Sequence, residues 1–300
     1  MITGNSTNVG QASLWSVKAK AYGELLKTRL SLLVSFSSAF GYALAIGEKV
    51  DWMQLAMLFT AGFLISGASC TINQVIEKDL DKVMKRTASR PLPTERLIKK
   101  EAIWFAIITA LVGLLVLVQW TNPLTVMLAS ISMVLYSFVY TPLKRVGPIA
   151  VFVGAIPGAL PPLLGWTAAT GLISHEALII FGIQFIWQFP HFWAIAWVAD
   201  EDYKKAGFKL LPVQGKKDLK TAFQIMTYTL FLIPLGLLPT YFGLTGINSA
   251  VIVTVCGVLF LASTIKLMQD QSRKSALRIM FGSFLYLPIV QIAILLDMVK

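Results

Sequence analysis

Long apolar segments separated by short polar loops recur along the whole chain. An α-helix needs about 20 mostly apolar residues to cross the hydrocarbon core of a membrane. Nine segments meet this requirement, at 29–47, 52–76, 102–119, 123–141, 148–168, 176–198, 221–242, 246–265 and 279–297. The pattern therefore predicts an all-α integral membrane protein, with a single polytopic domain over 1–300 and about nine transmembrane helices.

The fifth segment is the least regular of the nine. Within about twenty residues it contains Gly154, Pro157, Gly158, Pro161, Pro162 and Gly165. Proline removes a backbone donor and disturbs the preceding turn of a helix. We therefore predict that this segment is kinked or broken, which a membrane tolerates only where the backbone packs against protein or lines a cavity.

The composition excludes a soluble domain. Hydrophobic residues make up 56% of the chain and charged residues only 14%, whereas a soluble domain carries roughly 25% charged residues. The net charge of +11 could indicate a nucleic-acid partner, but the basic residues lie in short loops between apolar runs. That distribution is typical of membrane proteins, in which basic loops set the orientation of the chain in the lipid bilayer. We therefore expect no nucleic-acid partner. Cys70 and Cys256 both lie inside apolar runs, which favours packing over disulfide or zinc chemistry.

The basic residues alternate between the two sides of the predicted membrane. Every Lys and Arg except Lys49 and Lys300 falls in the N-terminal segment or in alternate loops. The positive-inside rule therefore predicts a cytoplasmic N-terminus and an external C-terminus. The segment 1–27 is mostly polar and has no apolar core typical of a signal peptide. We interpret it as a short cytoplasmic tail of a protein of the bacterial inner membrane.

The two longest inner loops, about 77–101 and 199–220, resemble each other. Each begins with acidic residues, continues with basic residues and ends near a proline. Each also follows the second helix of a possible four-helix unit. The chain is thus predicted to contain two four-helix repeats plus one further helix, arranged around a central cavity onto which both loops face.

The inner end of the second predicted helix carries three oxygen-bearing side chains at intervals of four. Asn73, Glu77 and Asp81 would lie along one face of a helix, about one turn apart. Carboxylate and amide oxygens suit Mg²⁺, which binds few protein groups together with substrate phosphates. The alternative is a solvated helix end with alternating charges. Ionisable groups this close to a membrane are costly, however, unless they have a function.

A second set of side chains, all basic, accompanies the first at the same spacing. Lys78, Lys82, Arg86 and Arg90 are also four residues apart. Arg and Lys beside a metal site would bind a phosphorylated substrate. Alternatively, these residues only anchor the helix at the inner face.

Two further segments carry candidate chemistry at the ends of predicted helices. Asp200, Glu201 and Asp202 precede Lys209 after the sixth helix, and could hold a second Mg²⁺ opposite the first acidic segment. Tyr140 and Lys144 end the fourth helix, although an interfacial Tyr and an anchoring Lys would be unremarkable there.

His191 lies inside the sixth predicted helix, between Pro190 and two aromatic residues, Phe192 and Trp193. An intramembrane histidine is a candidate site residue. The alternative is a hydrogen-bonded residue of the protein core.

Taken together, these segments resemble the UbiA-type intramembrane prenyltransferases. That family has an acidic motif after helix 2, a Tyr-x-x-x-Lys motif after helix 4 and a second acidic motif after helix 6. The likeness runs from about residue 27 to 212, and it is strongest to the branch that farnesylates heme. The second acidic motif departs from the wider family, because Ile195 and Ala199 interrupt its usual register.

The resemblance implies that the chain transfers the farnesyl group of farnesyl diphosphate to a vinyl group of heme b, giving heme O and diphosphate. Heme b would be a substrate and not a permanent cofactor, and Mg²⁺ would be the cofactor. A downstream heme A synthase is a possible partner.

The resemblance also implies a set of site residues. The catalytic group would be Asn73, Glu77, Asp81, Asp202, Tyr140 and Lys144. Mg²⁺ would be bound by Asn73, Glu77, Asp81 and Asp202. The diphosphate would be held by Lys78, Lys82, Arg86, Arg90, Lys144 and Lys209. Heme would contact His191 and Trp193.

Three alternatives remain open from the residues alone. The first is a prenyltransferase that acts on a quinone precursor, against which the segment 190–193 argues. The second is a cation-coupled transporter, although most predicted helices lack the charged residue near mid-span that transporters usually need. The third is a scaffold that binds heme without reacting with it.

Overall fold

The computed structural model describes the backbone of residues 6–299 and the side chains of residues 16–299 other than Gln214. Its helices are α1 Ser6–Leu25, α2 Thr28–Ile46, α3 Trp52–Ile76, α4 Lys78–Val83, α5 Lys99–Trp120, α6 Pro123–Val134, α7 Thr141–Leu143, α8 Ile149–Thr170, α9 His175–Val198, α10 Asp200–Lys205, α11 Pro212–Gly215, α12 Leu219–Tyr241, α13 Ile247–Asp270 and α14 Arg273–Leu296. A π-helical turn, Leu135–Tyr140, joins α6 to α7.

Nine helical segments of the described chain are long and apolar enough to cross a membrane, which confirms the predicted architecture. They are α2, α3, α5, the combined segment Pro123–Leu143, α8, α9, α12, α13 and α14. The largest differences from the predicted bounds lie on the side predicted to face the cytoplasm, where α14 begins at Arg273 instead of 279. Helices continue past the hydrocarbon core because their backbone hydrogen bonds extend into the polar interface, which an apolar window does not detect.

Helix packing repeats between the two halves of the chain. In the first half α3 packs against α2 and α5, and in the second half α9 packs in the same way against α8 and α12. The halves meet where α2 lies along α8, and α14 closes the arrangement by packing against α9. This order agrees with two related four-helix units and an additional last helix.

Helix α8 runs without a break, so of the two predicted forms, kinked or broken, the broken one is wrong and the kink stays a prediction. It retains Pro157, Pro161 and Pro162 inside one helix. Pro162 cannot donate to the carbonyl oxygen of Gly158, four residues earlier. The side-chain amides of Gln184 and Gln188 donate to that oxygen instead, at 2.8 and 3.0 Å. Side chains of α9 thus satisfy the backbone group that the proline leaves unpaired.

Small residues allow α2 and α8 to approach closely. An ideal Cβ added at Gly41 would overlap the carbonyl oxygen of Pro162, and one added at Gly165 would overlap that of Ser38. Close approach through small residues is a common way to pack helices in membranes, where hydrophobic burial supplies no driving force between them. These contacts set the distance between the two helices that form one wall of the central cavity.

The segment 1–27, which we interpreted as a cytoplasmic tail, is mostly helical in its described part. At the end of α1, Ala21 and Leu25 are fully buried and pack with Val75 and Leu97. Arg96 also binds both carboxylate oxygens of Glu24, at 3.0 and 2.6 Å. The end of α1 is therefore fastened to the polar loop that follows α4.

Candidate active site

A cavity of about 720 Å³ lies between the helices and carries charged side chains at one end. Its charged end, on the side predicted to face the cytoplasm, is lined by Lys27, Arg29, Asn73, Glu77, Asp81, Arg86, Arg90 and Lys144. Its deeper part is lined by aromatic and neutral polar side chains, among them Tyr136, Tyr140, Gln184, Trp187, Gln188, His191, Phe192 and Gln291.

Asn73, Glu77 and Asp81 all line this cavity, as their spacing predicted. Each of the three residues is at most 3% exposed. Helix α3 ends at Ile76 and α4 begins at Lys78, yet the hydrogen-bond ladder continues across Glu77 between them. The Glu77 N–H donates to Asn73 O at 3.0 Å, and the Asp81 N–H donates to Glu77 O at 2.8 Å. Because the backbone stays helical, the three oxygen-bearing groups keep one common face.

Each member of this stripe is paired with a basic side chain. Lys144 Nζ lies 2.9 Å from Glu77 Oε1, and Arg90 binds both oxygens of Asp81 at 2.8 and 2.7 Å. Buried ion pairs carry a large desolvation cost, so they are weak devices for stability. Their position at the mouth of an apolar cavity therefore points to a function, the binding of a charged ligand.

Lys27 completes the charged end and was not among our predicted site residues. Its Nζ donates to Asn73 Oδ1 at 3.3 Å, and its backbone is left-handed with φ 46°. Burial lowers the pKa of Lys27 to about 8. In the sequence it resembles any basic residue before a transmembrane helix, so nothing local distinguishes it from an anchor.

Aromatic rings surround Lys144. Its Nζ lies 4.8 Å from the centre of the Tyr140 ring and 5.6 Å from that of Phe208. Both distances are within the range of cation–π attraction. The cation is thus held between a carboxylate and two rings, and all three lie at the cavity wall.

The predicted stripe of four basic residues is not formed as a stripe. Helix α4 ends at Val83, so Arg86 and Arg90 reach the cavity from the following loop instead. Lys78 and Lys82 are one residue past the acidic stripe and hence about 100° around the helix. They approach Glu95 at 3.8 and 4.0 Å.

Lys209 also lies elsewhere. Its backbone N–H donates to the carbonyl oxygen of Lys144 at 3.0 Å. Lys209 lines an adjoining pocket of about 220 Å³ beside α10 and is not among the residues that line the main cavity. The structure therefore connects Lys209 to Lys144 through the backbone and not through a shared ligand site.

Asp202 is directed at the loop after α4. Its two oxygens accept the backbone N–H groups of Lys85 and Arg86, at 3.1 and 3.0 Å. Burial raises the pKa of Asp202, but these two hydrogen bonds together with the nearby charges of Lys205 and Arg86 outweigh it, and the pKa lies below its usual value. Asp202 thus joins the two long inner loops and positions Arg86, which reaches the Tyr203 hydroxyl at 3.4 Å.

Basic side chains surround Asp200 of the second acidic cluster. Asp200 forms ion pairs with Lys204 and Lys217, at 2.9 and 3.3 Å. Among the residues with described side chains, no three His, Cys, Asp or Glu residues are grouped as metal ligands.

His191 lines the deeper part of the cavity, whereas Trp193 lies on another side of α9. The His191 ring stacks on Trp187 with centroids 4.5 Å apart, and its Nδ1 lies 2.8 Å from Ser283 Oγ. Trp193 packs against Phe189 and Tyr228. Two residues correspond to about 200° of helix rotation, which is why neighbours in the sequence point apart.

The cavity also reaches the lipid-facing surface. Leu30 and Leu33 of α2 and Phe284 of α14 line the cavity and are 43%, 49% and 41% exposed.

Comparisons with known proteins agree with this geometry. A model of the UbiA prenyltransferase family matches residues 34–287. The chain is 53% identical to a protoheme IX farnesyltransferase from Cytophaga hutchinsonii, over 93% of this chain and 97% of the relative. It is 46% identical to one from Flavobacterium psychrophilum (92% and 93% covered) and 36% identical to a mitochondrial one from Arabidopsis thaliana (94% and 66% covered).

Solved structures share the fold. A digeranylgeranylglyceryl phosphate synthase structure matches with a TM-score of 0.78 and 21% identity, covering 93% of this chain and 98% of that chain. A UbiA homologue from Archaeoglobus fulgidus, bound to DMAPP and Mg²⁺, matches with a TM-score of 0.64 and 17% identity, covering 91% and 98%. By family match, identity and fold, the chain belongs to the UbiA prenyltransferase family.

Proposed function

We propose that this chain is a protoheme IX farnesyltransferase, which transfers the farnesyl group of farnesyl diphosphate to a vinyl group of heme b and releases diphosphate. The product is heme O. The observation that carries the proposal is an apolar cavity with a charged mouth. It lies in a chain that is 53% identical, over nearly its whole length, to a relative named for this activity.

The charged mouth suits a magnesium diphosphate. Asn73, Glu77 and Asp81 offer one amide and two carboxylate oxygens on one face, the hard donors that Mg²⁺ prefers alongside phosphate oxygens. These three residues would hold the ion. Asp202 of α10 would support the site by positioning Arg86, whose backbone N–H it accepts. When bound, Mg²⁺ neutralises charge on the diphosphate leaving group.

The basic residues would exchange partners when substrate binds. Lys144 and Arg90 are paired with Glu77 and Asp81 in this structure. If Glu77 and Asp81 bound the metal ion, Lys144 and Arg90 would be free to bind the diphosphate oxygens. Arg86 and Lys27 line the same end and would contact the diphosphate from two other segments.

The walls beyond the mouth suit an allylic cation. Tyr136, Tyr140 and Phe192 line the cavity directly behind the charged end. Aromatic faces attract cations, and an apolar wall excludes the water that would destroy a reactive intermediate early. Ionisation of farnesyl diphosphate would therefore occur with the headgroup in the polar mouth and the farnesyl chain among rings and aliphatic side chains.

Heme b would occupy the deeper part of the cavity. His191 lies eleven residues before Asp202 in the sequence, which corresponds to about 16 Å of helix. That distance is too large for His191 to share a small ion with the charged end. It suits an acceptor that lies below the diphosphate and approaches the farnesyl cation from the other side.

The test is reconstitution of the purified protein with heme b, farnesyl diphosphate and Mg²⁺, followed by mass analysis of the extracted hemes. We expect a heme enlarged by one farnesyl group and one hydroxyl group, and equimolar diphosphate. Diphosphate release with a prenylated quinone precursor, and none with heme b, would instead identify a quinone pathway enzyme. Heme binding without diphosphate release would indicate a scaffold.

A further inference from the structure

Ser283 of α14 holds two side chains of α9 at the deep end of the cavity. Its hydroxyl oxygen lies 2.8 Å from His191 Nδ1. Its backbone oxygen accepts the indole N–H of Trp187 at 3.0 Å. Trp187 and His191 are one turn apart and stack on each other. One residue of the neighbouring helix therefore fixes the orientation of both rings.

The hydrogen bonds of Ser283 also determine which nitrogen of His191 carries its proton. The Ser283 hydroxyl lies 2.6 Å from the carbonyl oxygen of Met280. Two oxygens at that distance require a hydrogen between them, and a hydroxyl has only one to donate. The contact with His191 must then be made by Nδ1–H donating to Ser283 Oγ. A neutral imidazole protonated at Nδ1 has its lone pair on Nε2.

From this geometry we propose that His191 accepts, at Nε2, the proton of the water molecule that ends the reaction, with Ser283 as the positioning residue. The inference rests on the proposed function. Attack of the heme vinyl group on the farnesyl cation leaves a carbocation on the carbon next to the porphyrin. The oxygen of water forms a bond to that carbon, one O–H bond breaks, and the proton passes to Nε2. The proton then leaves to bulk water as the product departs.

The surroundings of His191 suit this step. An imidazolium formed there would lie against the π face of Trp187, which attracts a cation. Ser283 Oγ already accepts from Nδ1–H, so it also stabilises the charged ring. Gln188, about one turn away on α9, lines the same part of the cavity. It offers a second polar group to a buried water, which needs two to four polar partners.

Without delivery of water, the same carbocation would lose a proton from the adjacent carbon and become an alkene. The enzyme would then release a farnesylated heme that lacks the hydroxyl group. The ratio of hydroxylated to alkene product reports the water step directly, whatever the overall rate or the amount of folded protein.

The experiment measures this ratio by mass analysis after turnover with heme b and farnesyl diphosphate, together with the rate. For His191→Ala we expect about a 100-fold lower rate of hydroxylated product, the usual contribution of a general base, with the alkene as the main product. Ser283→Ala should shift the ratio in the same direction, and Ser283→Thr, which keeps the hydroxyl, should restore it. His175→Ala is the matched control, since that exposed histidine at the other end of α9 contacts Glu176 and Phe242 and is not among the residues that line the cavity.

Two results would overturn the inference. One is an unchanged product ratio in both His191→Ala and Ser283→Ala, even if His191→Ala changes the absorption of bound heme, since His191 would then be a heme ligand only. The other is normal hydroxylation by Ser283→Ala when His191→Ala forms no product at all. Failure of the proposed function is a separate outcome, in which the unmodified protein forms no farnesylated heme of either kind.

Discussion

The acidic stripe contains its own control. Glu77 and Asp81 are buried at the cavity, whereas Asp79, between them in the sequence, is exposed. Removing a carboxylate that holds the metal should remove several kcal/mol of leaving-group stabilisation, and about 1.36 kcal/mol corresponds to a tenfold change in rate. We therefore expect Glu77→Gln and Asp81→Asn each to lower turnover by about 100-fold or more, measured as heme O formed per milligram of membrane protein.

Asp79→Asn should lose much less activity than either of those variants. Protein levels in the membrane must be compared, because each buried carboxylate also pairs with a basic residue. Equal losses for Asp79→Asn and Asp81→Asn, or full activity of the unmodified enzyme in the presence of a chelator, would contradict the assignment.

Lys27 should contribute to substrate affinity. It is a half-buried cation at the charged end of the cavity, next to Asn73. A hydrogen bond to a charged group contributes about 1.5–3 kcal/mol, so Lys27→Met should raise the KM for farnesyl diphosphate roughly tenfold or more. Lys20→Met is the matched control, since Lys20 is exposed on α1. An unchanged KM for Lys27→Met would leave Lys27 as an anchor only.

The close contact between α2 and α8 should tolerate no added side chain. Gly165→Ala places a methyl group against the backbone of Ser38, and overpacking of this kind costs about 1–3 kcal/mol or more. We expect a clear loss of thermal stability in detergent. Gly182→Ala on α9 meets nothing within 4 Å and should leave stability unchanged or slightly higher. If both variants melted alike, the contact would not determine the spacing of the helices.

The helices of this protein are easier to predict than the directions of its side chains. Apolar runs predict each transmembrane segment, because length and hydropathy alone determine whether a helix can cross a bilayer. The acidic stripe was predictable for a similar reason, since the backbone stays helical from Asn73 to Asp81.

The remaining site residues depend on where helices end and on how loops fold. Lys78 and Lys82 were placed beside Arg86 and Arg90 by spacing, but α4 ends between these pairs. Lys27 and Ser283 join the site only through contacts with helices distant in the sequence. No local pattern reports such contacts.

The orientation of the whole molecule follows from its basic loops. We predict a cytoplasmic N-terminus and an external C-terminus. Reporter fusions after Lys85, Arg145 and Lys217 should therefore be active in the cytoplasm, and fusions near Lys49 and Lys300 outside it. The charged mouth of the cavity would then open to the cytoplasm. A cytoplasmic reporter at Lys300 would be incompatible with nine membrane crossings.

The π-helical turn Leu135–Tyr140 constrains how this family member could have changed during evolution. Such a turn is equivalent to one residue inserted into an α-helix. It precedes Pro142, whose ring would clash with the carbonyl group of Phe138 in a regular helix. Deleting one residue there would turn everything that follows by about 100° and carry Lys144 away from Glu77. Insertions and deletions in this span should therefore be accepted only in compensating pairs, which makes a gap in an alignment at this point a sign of altered chemistry.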